Sequence, residues 1–170
     1  PADLKEQVKE AVAGVEKIMG KKFADANNPL LFSVRSGARV SMPGMMDTIL
    51  NLGLNDETTE ALTEISKDPR FAYDCYRRFI QMFADVVLGI ELELFESVLS
   101  EVKQKLNVKY DYEIPAEALR GVVDRFKSIV RSKIDQAFPQ DPWIQLKMAI
   151  EAVFKSWNNK RASTYRRISN

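Results

Sequence analysis

Apolar residues recur at intervals of three and four over most of the chain, the spacing that gathers side chains on one face of an α-helix. The repeat is clearest between residues 56 and 157, where we predict four or more helices packed as a small bundle, without a pair of strands. Asp68-Pro69 and Asp141-Pro142 each combine an N-cap with proline at the first helical position, and Pro115 opens another helix. The predicted buried stripes are Phe71, Cys75, Phe79, Met82, Phe83, Val86 and Val87; Phe95, Val98, Leu99, Val102 and Leu106; Leu119, Val122, Val123, Phe126 and Val130; and Leu146, Ala149, Ile150, Val153, Phe154 and Trp157.

The first 55 residues have a mixed pattern. A helix is predicted from an N-cap at Asp3 to a left-handed end at Gly20. The apolar run at residues 30–35, bounded by turn residues, predicts a buried strand of roughly six residues. Residues 36–48 fit neither helix nor strand, and apolar character returns after them. The face predicted for the first helix carries Leu4, Val8, Ala11, Val12, Val15, Ile18 and Met19.

The last segment, RASTYRRIS, alternates weakly and contains β-branched and aromatic residues, so it could be a strand. The pattern as a whole predicts an α+β, predominantly helical chain. We expect residues 1–55 to form part of an α+β lobe, residues 56–157 a helical insertion, and residues 158–170 a segment that returns to the lobe.

The charge balance and the counts of histidine and cysteine exclude several kinds of functional site. Lys and Arg number 25 against 24 Asp and Glu, a net charge of +1, which argues against a dedicated nucleic-acid-binding domain. The sequence has no histidine, so histidine-based zinc hydrolysis, a Ser-His-Asp triad and a phosphohistidine are excluded within these residues. With Cys75 as the single cysteine, an intramolecular disulfide is excluded and a transition-metal site is not expected.

Location is predicted from hydropathy. No apolar run approaches the ~20 residues that a membrane span needs. The charged beginning PADLKEQVKE does not have the pattern of a signal peptide. We therefore expect a cytoplasmic protein.

The junction at residues 33–48, SVRSGARVSMPGMMDT, is the best candidate for a ligand site. Arg35 would end a strand, where its guanidinium group could hold phosphate oxygens bidentately. The glycine and serine residues that follow would let backbone N–H groups approach an anion. The segment lacks the Lys-Ser or Lys-Thr pair of a Walker loop. An ordinary Gly/Pro turn with solvated arginines is the alternative.

Several other arginine, lysine and sulfur-containing side chains could serve either binding or structure. Arg77 and Arg78 would point roughly 100° apart on a helix, so at most one faces a given site. Either could instead be solvated or paired with Asp74 or Asp85. Cys75 fits an inert buried thiol. The basic cluster could contact nucleic acid, a phosphate or another domain; it consists of Lys160, Arg161, Arg166 and Arg167. Three methionines could pack against a planar ligand or fill the core: Met42, Met45 and Met46.

The stretch NPLLFSVRSGARVSMPGMMDTILNLGLN, which ends at Asn55, resembles the nucleotide-binding domain of the pyruvate, phosphate dikinase family. The resemblance continues through DPRFAYDCYRRFIQMFADVV, FPQDPWIQL and AVFKSWNNKRASTYRR in the family's order, and so covers nearly the whole chain. It implies an ATP-grasp-type domain and a full-length homodimer. The family reaction converts ATP, phosphate and pyruvate into AMP, pyrophosphate and phosphoenolpyruvate through a phosphohistidine on another domain.

The resemblance also assigns residues. It implies that Arg35 contacts the ATP phosphates, that Arg78 matches a second arginine near the nucleotide cleft, and that Arg161 meets the phosphohistidine domain. Mg²⁺ would accompany ATP, with ligands outside this chain. The family's usual Asn-Pro-Arg-Ala followed by apolar residues reads Asn159-Lys160-Arg161-Ala162-Ser163-Thr164 here, and the ending Ile168-Ser169-Asn170 also departs from the family.

The family's glycine-rich segment with its lysine and its metal-binding carboxylates are absent from these residues. We therefore expect this chain alone to be inactive and to supply no catalytic residue. A fragment of the phosphoenolpyruvate synthase type, a non-catalytic helical interaction module, and a nucleic-acid-binding role of the basic tail are the alternative interpretations.

Overall fold

Helices dominate the computed structural model, which describes residues 3–37, 44 and 46–169. Helix α1 precedes four short strands, and six more helices follow them. A 3₁₀ turn at Asp111–Glu113 separates α4 from α5. In chain order the elements are α1 Leu4–Met19, β1 Lys22–Phe23, β2 Pro29–Leu30, β3 Phe32–Arg35, β4 Thr48–Leu52, α2 Asp56–Ser66, α3 Pro69–Val86, α4 Leu92–Leu106, α5 Ala116–Ile134, α6 Pro142–Ser156 and α7 Lys160–Ser169.

The prediction of four or more helices between residues 56 and 157 is confirmed, since five α-helices and no strand lie in that range, all of which is described. Both Asp-Pro signals begin a helix. The Asp68 carboxylate accepts from the Phe71 N–H at 2.9 Å, and Asp141 accepts from the Trp143 N–H at 2.8 Å. Each carboxylate satisfies a donor that the first helical turn leaves unpaired.

Helix α1 only partly follows its predicted face. Gly20 ends the helix in the left-handed conformation, with φ of 63°, as predicted. The side chain of Asp3 makes no cap hydrogen bond to the backbone, and Val12 is the one buried residue of the helix. Ile18 and Met19 are 83% and 55% exposed. The spacing therefore identified the helix, but the predicted burial of its apolar face is wrong at this end.

Two small sheets follow α1. Strands β1 and β2 pair in parallel, and β3 and β4 pair in antiparallel fashion with an irregularity between Phe32 and Val34. The predicted six-residue buried strand is a four-residue strand in which half-buried and exposed residues alternate. In the β3–β4 register Arg35 lies opposite Thr48. The hairpin thus carries Arg35 at the end nearest its connecting segment.

The predicted strand at the end of the chain is wrong, because residues 160–169 form helix α7. The Asn159 side-chain oxygen accepts from the Ala162 N–H at 2.7 Å, which is the hydrogen bond of a helix N-cap. Ala162 is completely buried. Arg166 lies over the Trp157 ring, 4.1 Å from its centroid, and donates to the Trp157 carbonyl at 2.6 Å. A cap and a cation–π contact therefore fix the segment as a helix.

Helix α3 lies at the centre of the core. It packs against α2, α4, α5 and β4, so helices and hairpin share one apolar interior. Phe79 and Phe83 meet Phe138 edge-on, with ring centroids 5.7 and 5.5 Å away, an arrangement that aromatic quadrupoles favour. Of the predicted stripes, that of α5 is buried throughout. In the other stripes the predicted burial is wrong at Phe71, Leu106, Phe154 and Trp157, which are exposed.

A buried carboxamide joins the hairpin to the helices. Gln145, which is 0% exposed, accepts from the Gly53 N–H at 3.1 Å and donates to the carbonyls of Leu54 and Pro139 at 2.9 and 2.7 Å. The neighbouring Gln140 carbonyl accepts from the Asn55 amide at 2.8 Å. The β4–α2 connection is thereby fixed to the α5–α6 connection.

Gly53 is required at this junction. Its φ is +109°, a conformation that L side chains rarely adopt, and a Cβ atom there would lie 3.1 Å from the Phe23 ring and 3.3 Å from the Leu30 carbonyl oxygen.

Replacing Gln145 by leucine should destabilise the fold by roughly 1–3 kcal/mol or more, because the buried Gly53 N–H and two carbonyls lose their partner. The measurement is urea unfolding of the purified chain. Gln104→Leu, at an exposed glutamine of α4, is the matched control and should change stability by less than about 0.5 kcal/mol. Equal stability of both variants would show that the carboxamide does not hold the junction.

Candidate functional site

The loop-side end of the β3–β4 hairpin carries the first predicted ligand residue. The Arg35 side chain is exposed there, and Ser36 behind it is half-buried. Of the predicted segment, Gly44 is described and adopts φ of +70°. Met46 packs against the core, as the core-filling interpretation predicts. Ser41, Met42, Pro43 and Met45 lie outside the described residues.

Asp47 ties this end of the hairpin to the junction of α6 and α7. Its backbone N–H donates to Ser156 Oγ at 3.3 Å, and its Oδ1 accepts from Arg161 Nη2 at 3.1 Å. Ser156 is buried and its hydroxyl in turn donates to the Val153 carbonyl. Because Asp47 directly precedes the partner of Arg35 in the sheet, the structure brings Arg35 and Arg161 to the same end of the hairpin.

Arg78 lies on the exposed face of α3. Its side chain is 59% exposed, and its Nε lies 2.9 Å from Asp74 Oδ2. Asp85 follows seven residues later and therefore lies on the same helical face, about 10.5 Å further along the axis. Burial raises the pKa of Asp85, the charges of Asp47 and Glu93 raise it further, and the charge of Arg161 lowers it. The exposed face of α3 thus runs from Arg78 to the charged groups at the hairpin end.

Arg77 has a different role from its neighbour. It is buried and bridges Asp74 and Asp111, with nitrogen–oxygen distances of 2.8 and 3.1 Å. Lys103 also binds Asp111, at 2.8 Å. The expectation that at most one of the two arginines faces a site is consistent with this arrangement, and the ion pair with Asp74 is confirmed for both. Arg77 holds α3 to the 3₁₀ turn.

A shallow cavity of about 320 Å³ adjoins the hairpin end, between α3 and α6. Apolar and charged side chains both line it. The lining residues are Asp47, Val86, Val87, Met148, Glu151, Ala152, Lys155 and Ser156.

In the described part of the chain, no group of three or more His, Cys, Asp or Glu is placed to hold a metal ion. Cys75 is a free, half-buried cysteine, and burial raises the pKa of its thiol, which disfavours the reactive thiolate. Within the same residues, no helix is long and apolar enough to cross a membrane.

The arrangement is suited to binding an anion. Arg35 and Arg161 lie at the same end of the hairpin, and Arg78 lies on the exposed face of α3. Guanidinium groups match phosphate oxygens in charge and geometry. Sequence reasoning named these three arginines but missed Asp47 and Ser156. It named Asp85 only as a possible ion-pair partner of Arg77 or Arg78. Asp47 lies within the conspicuous motif, but its partner Arg161 is 114 residues away. No local pattern could have indicated that pair.

The family described as "Pyruvate phosphate dikinase, AMP/ATP-binding domain" matches residues 1–170, and the chain belongs to this family. It is 53% identical over 168 residues to the pyruvate, phosphate dikinase of Rhizobium meliloti (strain 1021) and 52% identical over 169 residues to that of Giardia intestinalis. An Arabidopsis thaliana relative, at 48% identity, is named pyruvate, phosphate dikinase 1, chloroplastic. Each match covers 99% of this chain, which spans only 19%, 19% and 17% of the respective relatives. The resemblance inferred from the motifs is confirmed.

The two adjacent arginines should respond differently to the same substitution. Arg77→Met should destabilise the chain by about 1–3 kcal/mol, less than for a wholly buried pair because Asp74 and Asp111 each keep a second cation. Arg78→Met should cost less than about 1 kcal/mol, as exposed ion pairs do. Thermal or urea unfolding of the two variants checks this. A larger loss for Arg78→Met would contradict the structural assignment.

Proposed function

We propose that this chain is part of an ATP-grasp-type nucleotide-binding domain in a full-length pyruvate, phosphate dikinase, and that Arg35 contacts the phosphates of ATP. The observation that carries the proposal is the exposed guanidinium of Arg35 at the end of a strand whose partner strand is anchored through Asp47. A side chain that binds phosphate needs a backbone held in position and a guanidinium group that the ligand can reach. Family membership and the names of the relatives support the same substrate class.

The other two arginines receive complementary roles in this proposal. Arg78 lies near the nucleotide, at the exposed face of α3, where its contact with Asp74 sets its direction. Arg161 contributes to the surface that receives the phosphohistidine domain of the same protein. The stacking of Arg166 on Trp157 commits part of the basic tail to intramolecular contacts, which weakens the nucleic-acid interpretation.

The proposal includes a division of the chain. Residues 1–55 would form part of the α+β lobe, residues 56–157 the helical insertion, and residues 158–170 the segment that returns to the lobe. The return is made by a helix, whose Arg161 contacts the hairpin end. The full-length protein is proposed to be a homodimer in the cytoplasm. Some plant relatives are named chloroplastic.

Magnesium would be bound with ATP by ligands outside this chain. Asp47 already binds a guanidinium group, and the described residues do not bring three carboxylates together. Mg²⁺ bound with a nucleotide takes carboxylate and phosphate oxygens, and it would supply charge neutralisation on the phosphates. What this chain contributes is therefore the positioning of phosphate-binding arginines.

The chain alone should not make phosphoenolpyruvate or cleave ATP at a useful rate, because phosphoryl transfer needs metal and cationic groups placed together around the charge. The assay is pyruvate phosphorylation with Mg-ATP and phosphate by the purified chain, with the full-length enzyme as positive control. Turnover by the purified chain would overturn the view that it supplies only part of the site.

In the full-length enzyme, Arg35→Ala should slow phosphorylation of the histidine by about one to two orders of magnitude, since a charge-assisted contact contributes roughly 1.5–3 kcal/mol. Arg35→Lys should recover only part, because an ammonium group lacks the planar fork. Transfer between phosphohistidine and pyruvate should be unaffected.

Measuring the two half-reactions separately decides the role of Arg35. Equal loss in both would indicate misfolding, and no loss in either would remove Arg35 from the site. Arg125→Gln, which breaks an exposed ion pair with Glu101 on the helical insertion, is the control and should leave both half-reactions unchanged.

A further inference from the structure

An ion pair between two separate elements lies beside the hairpin, and its charges act on a third charged side chain. Asp47 precedes β4, Arg161 lies in the first turn of α7, and Asp85 lies near the end of α3. The Asp47–Arg161 pair has a nitrogen–oxygen distance of 3.1 Å, with the Asp47 side chain 26% exposed. The charges of Asp47 and Arg161 both act on Asp85. The Asp47–Arg161 ion pair therefore lies at the edge that also carries Arg35.

Asp47 is held at two points. Its backbone N–H binds the hydroxyl of buried Ser156, and its carboxylate binds Arg161. The next residue, Thr48, is the sheet partner of Arg35. Any displacement of Asp47 along or away from α6 would therefore shift the strand end against which Arg35 is aligned.

We propose that Asp47 is a positioning residue for the nucleotide: its ion pair with Arg161 fixes the loop-side end of the β3–β4 hairpin so that Arg35 presents its guanidinium group to the ATP phosphates. The inference rests on the proposed function and extends it, because it makes nucleotide affinity depend on a side chain of α7 that need not touch the nucleotide.

The direction in which one substitution changes the affinity for ATP distinguishes positioning from a simple charge effect. Asp47→Asn removes a negative charge from the neighbourhood of an anionic ligand, which by Coulomb attraction alone would tighten ATP binding. Loss of positioning would weaken it. The amide keeps the shape of the side chain and leaves the backbone hydrogen bond to Ser156 in place.

The experiment measures the dissociation constant for Mg-ATP by calorimetry on the full-length enzyme. Asp47→Asn and Arg161→Gln should each raise it about two- to fivefold, the range for a partly exposed ion pair. The double variant should match the single variants, because both remove one interaction. The charge exchange Asp47→Arg with Arg161→Asp should return the constant to within about twofold of wild type.

A second readout reports the position of the strand directly. Hydrogen exchange of the backbone amides of β4 should be faster in Asp47→Asn than in wild type, and the charge exchange should slow it again. Arg125→Gln should change neither the dissociation constant nor this exchange.

The outcomes separate the inference from the proposed function. If Arg35→Ala leaves Mg-ATP binding unchanged, the proposed function fails. If Arg35→Ala weakens binding but Asp47→Asn tightens it or leaves it unchanged, positioning by Asp47 is overturned while the function stands. Positioning by Asp47 would also be overturned if the increases in the dissociation constant from the two single variants multiplied in the double variant, because the two residues would then act independently.

Discussion

The buried carboxamide of Gln145 is the constraint on which the arrangement of strands and helices depends. Apolar packing between α3, α5 and β4 holds these elements together but does not fix how they are oriented, because hydrophobic attraction is non-directional. The three hydrogen bonds of Gln145 are directional, and a shift of the strands would leave buried polar groups without partners. The carboxamide thereby converts a general attraction into one particular alignment of hairpin and bundle.

The alignment extends outward from this point. Leu52 and Leu54, completely buried on either side of Gly53, anchor the inner end of β4 in the core. At the outer end Asp47 binds the α6–α7 junction through Ser156 and Arg161. Strand β4 is therefore fixed at both ends to the same helix and its extension. Arg35, on the neighbouring strand, inherits its position from that attachment.

The sequence predicted what local patterns determine. Helical spacing and the caps of Asp68 and Asp141 are local, and they correctly located helices within residues 56–157. The prediction failed at RASTYRRIS, whose own alternation is weak. The features that accompany its helix begin just before it, with the Asn159 cap and with Trp157, over which Arg166 stacks. For Ile18 and Met19, the spacing showed a face without showing whether anything covers it.

The candidate site was predictable to the same extent. Arg35 stands at the end of a strand that the local sequence reveals. Helix geometry showed that at most one of Arg77 and Arg78 faces a given site, and the family resemblance selected Arg78. The ion pair of Asp47 could not be found in this way, because it joins residues 114 positions apart and depends on α7, which sequence reasoning had interpreted as a strand. Motifs therefore indicated which side chains to propose for the site, and the fold was needed to show what holds them in place.

The long reach of the contacts at Asp47 has a consequence for synthesis on the ribosome. The hairpin is translated early, but Gly53 and Asp47 find their partners at Gln145, Ser156 and Arg161, which are 92, 109 and 114 residues later. A nascent chain that has emerged only as far as α5 can already assemble α2, α3 and α5 into a packed nucleus, since those contacts are all within reach. The edge that carries Arg35 is completed only when α7 has left the exit tunnel.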